Sequence, residues 1–154
     1  MKICIDINST LKFSTGIGKF TIALVKALVS LSWFNEHKIV LCYRKRFFDF
    51  KKRCPNVKSD SIEYFNTYKR DLPKANIYLT SSYGFKFSSC GKNILIIHDL
   101  IPLVTPELSS IDAKNILLNS LPGLIKNVDR IICVSQNTRN DLVRFYPDVK
   151  DKTE

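Results

Sequence analysis

Asn93-Ile-Leu-Ile-Ile-His-Asp-Leu-Ile-Pro102 is the stretch that decides the fold. Its aliphatic residues Ile94 to Ile97 run without interruption into a His-Asp pair. A short apolar run without alternation marks a strand buried on both faces, as in the middle of a parallel sheet. Pro102 has no amide hydrogen to give a ladder, so the strand ends before it. In open α/β sheets, ligands gather beyond the carboxyl ends of the strands. His98 therefore stands where chemistry is expected.

Outward from this stretch, strand and helix patterns alternate. Lys2 to Ile7 is β-branched and reads as a first strand; Lys38 to Tyr43, Ser61 to Phe65, Asn76 to Thr80 and Arg130 to Val134 read as others. From Gly18 to Leu31, apolar residues recur at Phe20, Leu24, Ala27, Leu28 and Leu31, which is helical spacing. Arg46 to Cys54 reads as a short basic helix that stops before Pro55. Leu108 to Asp129 has a helical pattern that Pro122-Gly123 is expected to kink or split. Ser135 is a good N-cap for a helix running to about Tyr146. Such alternation predicts an α/β fold with a doubly wound, mostly parallel sheet.

The chain has 154 residues, one domain's length, and is 45% hydrophobic and 25% charged, a globular composition. No segment has the apolar length of a membrane span, and Asp6 and Asn8 fall where a signal peptide would be apolar. Residence in the cytosol is the expectation. Cys4, Cys42, Cys54, Cys90 and Cys133 are odd in number and form no Cys-x-x-Cys pair. The three inside strand-like runs, Cys4, Cys42 and Cys133, read as buried and reduced, and no metal site is expected. A formal net charge of +10 permits phosphorylated ligands, anionic lipid or nucleic acid as partners.

Ser14-Thr-Gly-Ile-Gly-Lys19 fails two phosphate motifs. Phe13 and Phe20 occupy the first glycine and hydroxyl positions of a P-loop, and Thr21 stands where a dinucleotide fingerprint has its third glycine. What survives is Gly16 and Gly18 before a helix N-terminus, whose free amides suit a phosphate, or an ordinary loop. Asp99 either orients His98 or caps the next turn; neighbours on a strand point to opposite faces, which disfavours a direct dyad. The glycine loop, Tyr83-Gly84, His98 and Ser135 all follow predicted parallel strands, so they meet at one edge as a cleft. Arg44-Lys-Arg-Phe-Phe-Asp-Phe-Lys-Lys-Arg53 reads either as a solvated basic helix or as a surface resting on anionic lipid through Arg46, Phe47, Lys51, Lys52 and Arg53. No nucleic-acid motif accompanies the charge.

In family order, the pieces Ile3-Cys-Ile-Asp6, Ser14 to Thr21, Leu79-Thr-Ser-Ser-Tyr-Gly84, His98-Asp-Leu-Ile-Pro102, Pro106-Glu107 and Asp129-Arg-Ile-Ile-Cys-Val-Ser135, with Thr138, Asp141 and Leu142, run nearly the whole chain. On these residues the chain resembles the N-terminal half of the group 1, or family 4, retaining glycosyltransferases, especially their mannosyltransferase-like branch. The resemblance implies a GT-B enzyme, in which an N-terminal Rossmann-like domain receives the acceptor and a C-terminal domain holds the nucleotide-sugar. It implies that Gly16 and Gly18 approach the donor diphosphate, with Ser135 at the cleft edge on the donor side. His98 would lie beside the transferred sugar as the catalytic residue, and Tyr83 and Asp99 would line the acceptor side. It implies no metal or other cofactor, basic residues neutralising the leaving diphosphate, and a nucleotide-sugar co-substrate, with GDP-mannose favoured.

The family's paired glutamates and phosphate-binding Arg and Lys belong to the C-terminal half, which this sequence lacks. The expectation is an N-terminal domain over residues 1–146, cut short by a polar tail at 147–154, and inactive without a separately encoded donor domain. Transfer of a hexose to a glycan or lipid-linked acceptor in cell-envelope polysaccharide synthesis is the first functional expectation. A non-catalytic module that puts its basic face on acidic glycan, anionic membrane at the inner face, or a partner chain is the alternative. Nucleic acid comes last.

Overall fold

The computed structural model describes residues 1–11, 15–46, 56–57 and 59–154. The basic helix expected over Arg46 to Cys54 lies, after Arg46, outside the described residues. Six strands form one sheet: β1 (Lys2–Asp6), β2 (Lys38–Tyr43), β3 (Ile62–Asn66), β4 (Ile77–Thr80), β5 (Lys92–Ile97) and β6 (Arg130–Cys133). Their order is β3-β2-β1-β4-β5-β6 and every pairing is parallel, so the doubly wound, Rossmann-like sheet is present. The order reverses between β1 and β4. The carboxyl ends of that pair form the switch point where such folds bind ligands.

The apolar runs are continuous because both faces of the sheet are covered. Ile3, Ile5, Ile39 and Leu41 pack under α1 (Gly16–Ser30), which contributes Val25. On the other face, Cys4, Val40, Cys42 and Tyr78 meet Phe85. Leu95, Ile97 and Ile131 meet Leu117, Leu121, Leu124 and Ile125 of α3 (Ile111–Asn127) and Leu142 of α4 (Gln136–Phe145). The one-turn α2 (Ile101–Val104) follows β5 and uses Pro102 in its first turn, where a missing amide hydrogen does no harm.

Pro122 neither splits nor ends α3, against expectation: the helix runs from its Ser110 cap to Asn127. A proline inside a helix costs about 3 kcal/mol. The buried leucines at 117, 121 and 124, with Ile125, offset it at roughly 1.5–3 kcal/mol each. The connection from β4 to β5 holds no helix. Its aromatics alternate at Tyr83, Phe85 and Phe87, a period of two that favours extended chain.

Residues 147–154, read from composition as a polar tail, are part of the packing. Val149 and Thr153 are buried, and the Lys152 ammonium donates to the carbonyls of Ile125 and Val128 at the end of α3. The Glu154 amide donates to the Ile131 carbonyl, and the Cys133 amide donates to the Glu154 carbonyl, so the chain lies parallel beside β6. Cys4 and Cys42 are buried on neighbouring strands and form no disulfide; Cys133 is half-buried. No helix among the described residues is long and apolar enough to cross a membrane.

Candidate functional site

The floor of the switch point is built from polar groups at the ends of β1 and β4. Asp6, 1% exposed, accepts hydrogen bonds from the Asn8 amide (3.0 Å), the Asn8 side chain and the Thr80 hydroxyl (2.9 Å). Burial pushes the Asp6 carboxyl above the usual carboxylate range, against the bonds from Asn8, Thr80 and Ser82. Asn8 Oδ1 accepts from the Arg44 amide (2.8 Å), which ties in the end of β2. The Thr21 hydroxyl joins this layer, 2.9 Å from the Ile17 carbonyl and 3.2 Å from Ser81 Oγ.

Above the floor stands the start of α1. Thr15 caps it: its hydroxyl oxygen accepts from the Gly18 amide (3.0 Å) and its carbonyl from the Lys19 amide (2.9 Å). Gly16 and Ile17 keep their amide hydrogens without a partner among the described residues, on the positive end of the helix dipole. The two glycines differ in kind. A Cβ at Gly16 would meet nothing within 4 Å, whereas one at Gly18 would lie 2.7 Å from the Ser9 carbonyl oxygen. Gly18 is buried and lets the loop after β1 pack on α1; Gly16 is the glycine open to a ligand.

The turn after β5 is held from two sides. The Thr138 hydroxyl of α4 donates to the His98 carbonyl (3.0 Å), and the Tyr83 hydroxyl donates to the Asp99 carbonyl (3.3 Å). Asp99 Oδ1 accepts from the Ile101 amide (3.2 Å), so its carboxylate caps the next turn. The His98 ring lies edge-on to Phe20 of α1, with centroids 4.7 Å apart and planes at 88°. Its Nε2 is buried with no hydrogen-bond partner among the described residues. Desolvation lowers the His98 pKa from 6.5, partly opposed by the negative charge of Asp99. Burial, then the nearby Asp99, pushes the Tyr83 phenol well up, so Tyr83 keeps its proton and serves as a donor.

Ser135 is exposed and caps α4, its oxygen accepting from the Thr138 amide (3.1 Å). His98, Asp99, Tyr83 and Ser135 therefore share one turn, and Phe20 links that turn to the helix that begins at Gly16. Arg46 lies at the β2 and β3 side of the same edge, with its guanidinium 5.8 Å from the Tyr68 ring centre. Phe47, Lys51, Lys52 and Arg53 lie outside the described residues. Asp6, Phe20, Thr138, Lys69 and Arg70 also belong to this edge, none of them expected from sequence as a site residue. A charged residue ending an apolar strand was the signal for Asp6. The ring contact of Phe20 depends on tertiary structure, and nothing local announces it.

Between Asp6, Phe20, Thr80, Ser81 and Ile96 lies a dent of about 10 Å³. A larger cavity of about 1150 Å³ lies beside the β4 to β5 connection and reaches this edge at Tyr83 and Gly84. The His98 turn, the open terminus of α1 and the switch point all lie at the carboxyl edge of the sheet. No family model matches the chain, and comparison with curated proteins finds no match.

Proposed function

We propose that this chain is the acceptor-side half of a GT-B hexosyltransferase, which acts together with a donor-side domain, with GDP-mannose the favoured donor. One observation carries the reading. At the switch point of a parallel sheet, the free amides of Gly16 and Ile17 open α1, whose Phe20 packs on the His98 ring, and the buried Nε2 of that ring has no partner among the described residues. Amides at a helix terminus suit a diphosphate. A neutral imidazole beside the transferred sugar can accept a hydrogen bond from a sugar hydroxyl and hold the anomeric carbon in line. Tyr83 and Asp99 border the edge on the acceptor side. Ser135 acts through its cap, which fixes the turn that presents His98.

The resemblance in the ordered pieces from Ile3 to Leu142 supports the same reading. The test is reconstitution: the 154-residue chain is mixed with the donor-side domain encoded downstream of it, and transfer of labelled hexose from GDP-mannose to glycan is followed. Transfer that needs both polypeptides supports the proposal. Transfer by the downstream polypeptide alone, or none by the pair, overturns it.

A second reading, attachment to an anionic membrane surface, is favoured by one cluster. Arg44, Arg46, Lys69 and Arg70 are exposed at the carboxyl ends of β2 and β3, on the same edge as His98. Lys69 and Arg46 both approach the Tyr68 ring, at 5.8 Å each. Sedimentation with phosphatidylglycerol vesicles, reduced in Arg46→Glu and Lys69→Glu, checks it; equal sedimentation with neutral vesicles contradicts it.

A further inference from the structure

A cavity of about 1150 Å³ lies beside the β4 to β5 connection, which holds no helix where a doubly wound fold has room for one. It is a groove between that connection and α3. It spans roughly 20 Å along β5, from Tyr83 at the carboxyl edge to Asn127 at the amino edge. Its walls are mixed in character. Tyr83 and Phe87 supply aromatic surface, while Ser88, Ser120 and Asn127 supply small neutral polar groups. The Lys92 ammonium is neutralised by Asp129 at 2.8 Å, which leaves Lys86 as the lone cation without a carboxylate partner among the described lining residues.

Asn93 sits on the floor, 8% exposed. Its side-chain NH₂ donates to the Ser88 carbonyl on one wall and the Asn127 carbonyl on the other, 3.0 Å each, which fixes the orientation of the amide. Its Oδ1 is then left as a buried acceptor with no donor among the described residues. A buried acceptor without a donor costs about 1–3 kcal/mol, so a shift of the Ser88 or Asn127 wall that admits a ligand hydroxyl to it is favoured. An anionic ligand would find one unpaired cation, and a wholly apolar ligand would strand the amides and hydroxyls.

We propose that this groove binds a neutral oligosaccharide. Sugar ring faces lie on the Tyr83 and Phe87 aromatics, and hydroxyls engage Asn93, Ser120 and Asn127. Tyr83 belongs to both the groove and the turn of His98, since its hydroxyl bonds the Asp99 carbonyl. A glycan in the groove therefore has one end at the candidate site. The proposal rests on the transferase reading for the ligand's purpose, and the two fail separately. Groove binding with no transfer by the reconstituted pair sinks the transferase and leaves the groove; transfer without groove binding does the reverse.

The isotope-labelled 154-residue chain is titrated by NMR with mannotetraose and cellotetraose, and in parallel with a chondroitin sulfate tetrasaccharide. The expected result is saturable amide shifts at 83–93 and 120–127 with a neutral tetrasaccharide. Gly123 is exposed on the groove, and a side chain added there meets nothing within 4 Å. Gly123→Gln also raises helix propensity, so it keeps the fold while filling the groove. It is expected to weaken binding by at least about tenfold. No groove shifts with either neutral sugar, shifts with the sulfated sugar alone, or equal binding by Gly123→Gln overturns the proposal.

Discussion

At the scale of the residue, His98 and Asp6 are two titratable groups whose burial acts in opposite senses on pH. His98 is held below its ordinary 6.5 by desolvation. Above pH 6.5 both folded and unfolded chains carry it neutral, so its contribution to stability is complete. As pH falls below 6.5 the unfolded chain takes the proton first, and stability drops until the lower folded value is passed. An NMR titration of the His98 ring is expected to show a depressed midpoint, moved back towards 6.5 by Phe20→Ala, which uncovers the ring. A midpoint unchanged by that substitution would contradict the role given to Phe20. Asp6 behaves differently, because its neighbours need an acceptor more than a charge. Asp6→Ala strands the Asn8 amide and the Thr80 hydroxyl and is expected to cost about 2–4 kcal/mol in urea denaturation. Asp6→Asn keeps an acceptor for Asn8, and a change within about 1 kcal/mol is expected.

At the scale of the element, the glycine loop shows what pattern reading reaches and where it stops. That two glycines precede a helix is plain in the sequence; which of them faces a ligand is not, because the answer lies in the Ser9 carbonyl pressed against Gly18. Gly18→Ala is expected to lose about 1–3 kcal/mol from overpacking. Gly16→Ala is expected to be neutral or to gain up to about 1 kcal/mol, and thermal melts of the two variants check the contrast. The strands were legible because burial on both faces leaves continuous apolar runs, and each was placed within a residue or two. α3 continues through Pro122 because the local cost of the proline meets four buried anchors on the same helix. Pro122→Ala is expected to raise the melting temperature, with the Leu118 carbonyl regaining its helical donor. The tail was misread because its composition hides Val149 among charges.

At the scale of the whole molecule, the parallel sheet and its strand order bring residues far apart in sequence to one edge, and the site is a property of that edge. His98, Tyr83 and Ser135 were visible as residues following strands, so their meeting was predictable from topology. The groove was not, since it lies beside a connection, β4 to β5, that holds no helix. Deleting residues 147–154 removes Val149 from the core and is expected to cost about 1.5–3 kcal/mol or more, measured by denaturation. The role of the edge is tested most directly by hexose transfer in the reconstituted pair, comparing the wild-type chain with His98→Ala. At least about a hundredfold loss of turnover is expected in His98→Ala, with folding and groove binding intact. Undiminished turnover in that variant would contradict this role.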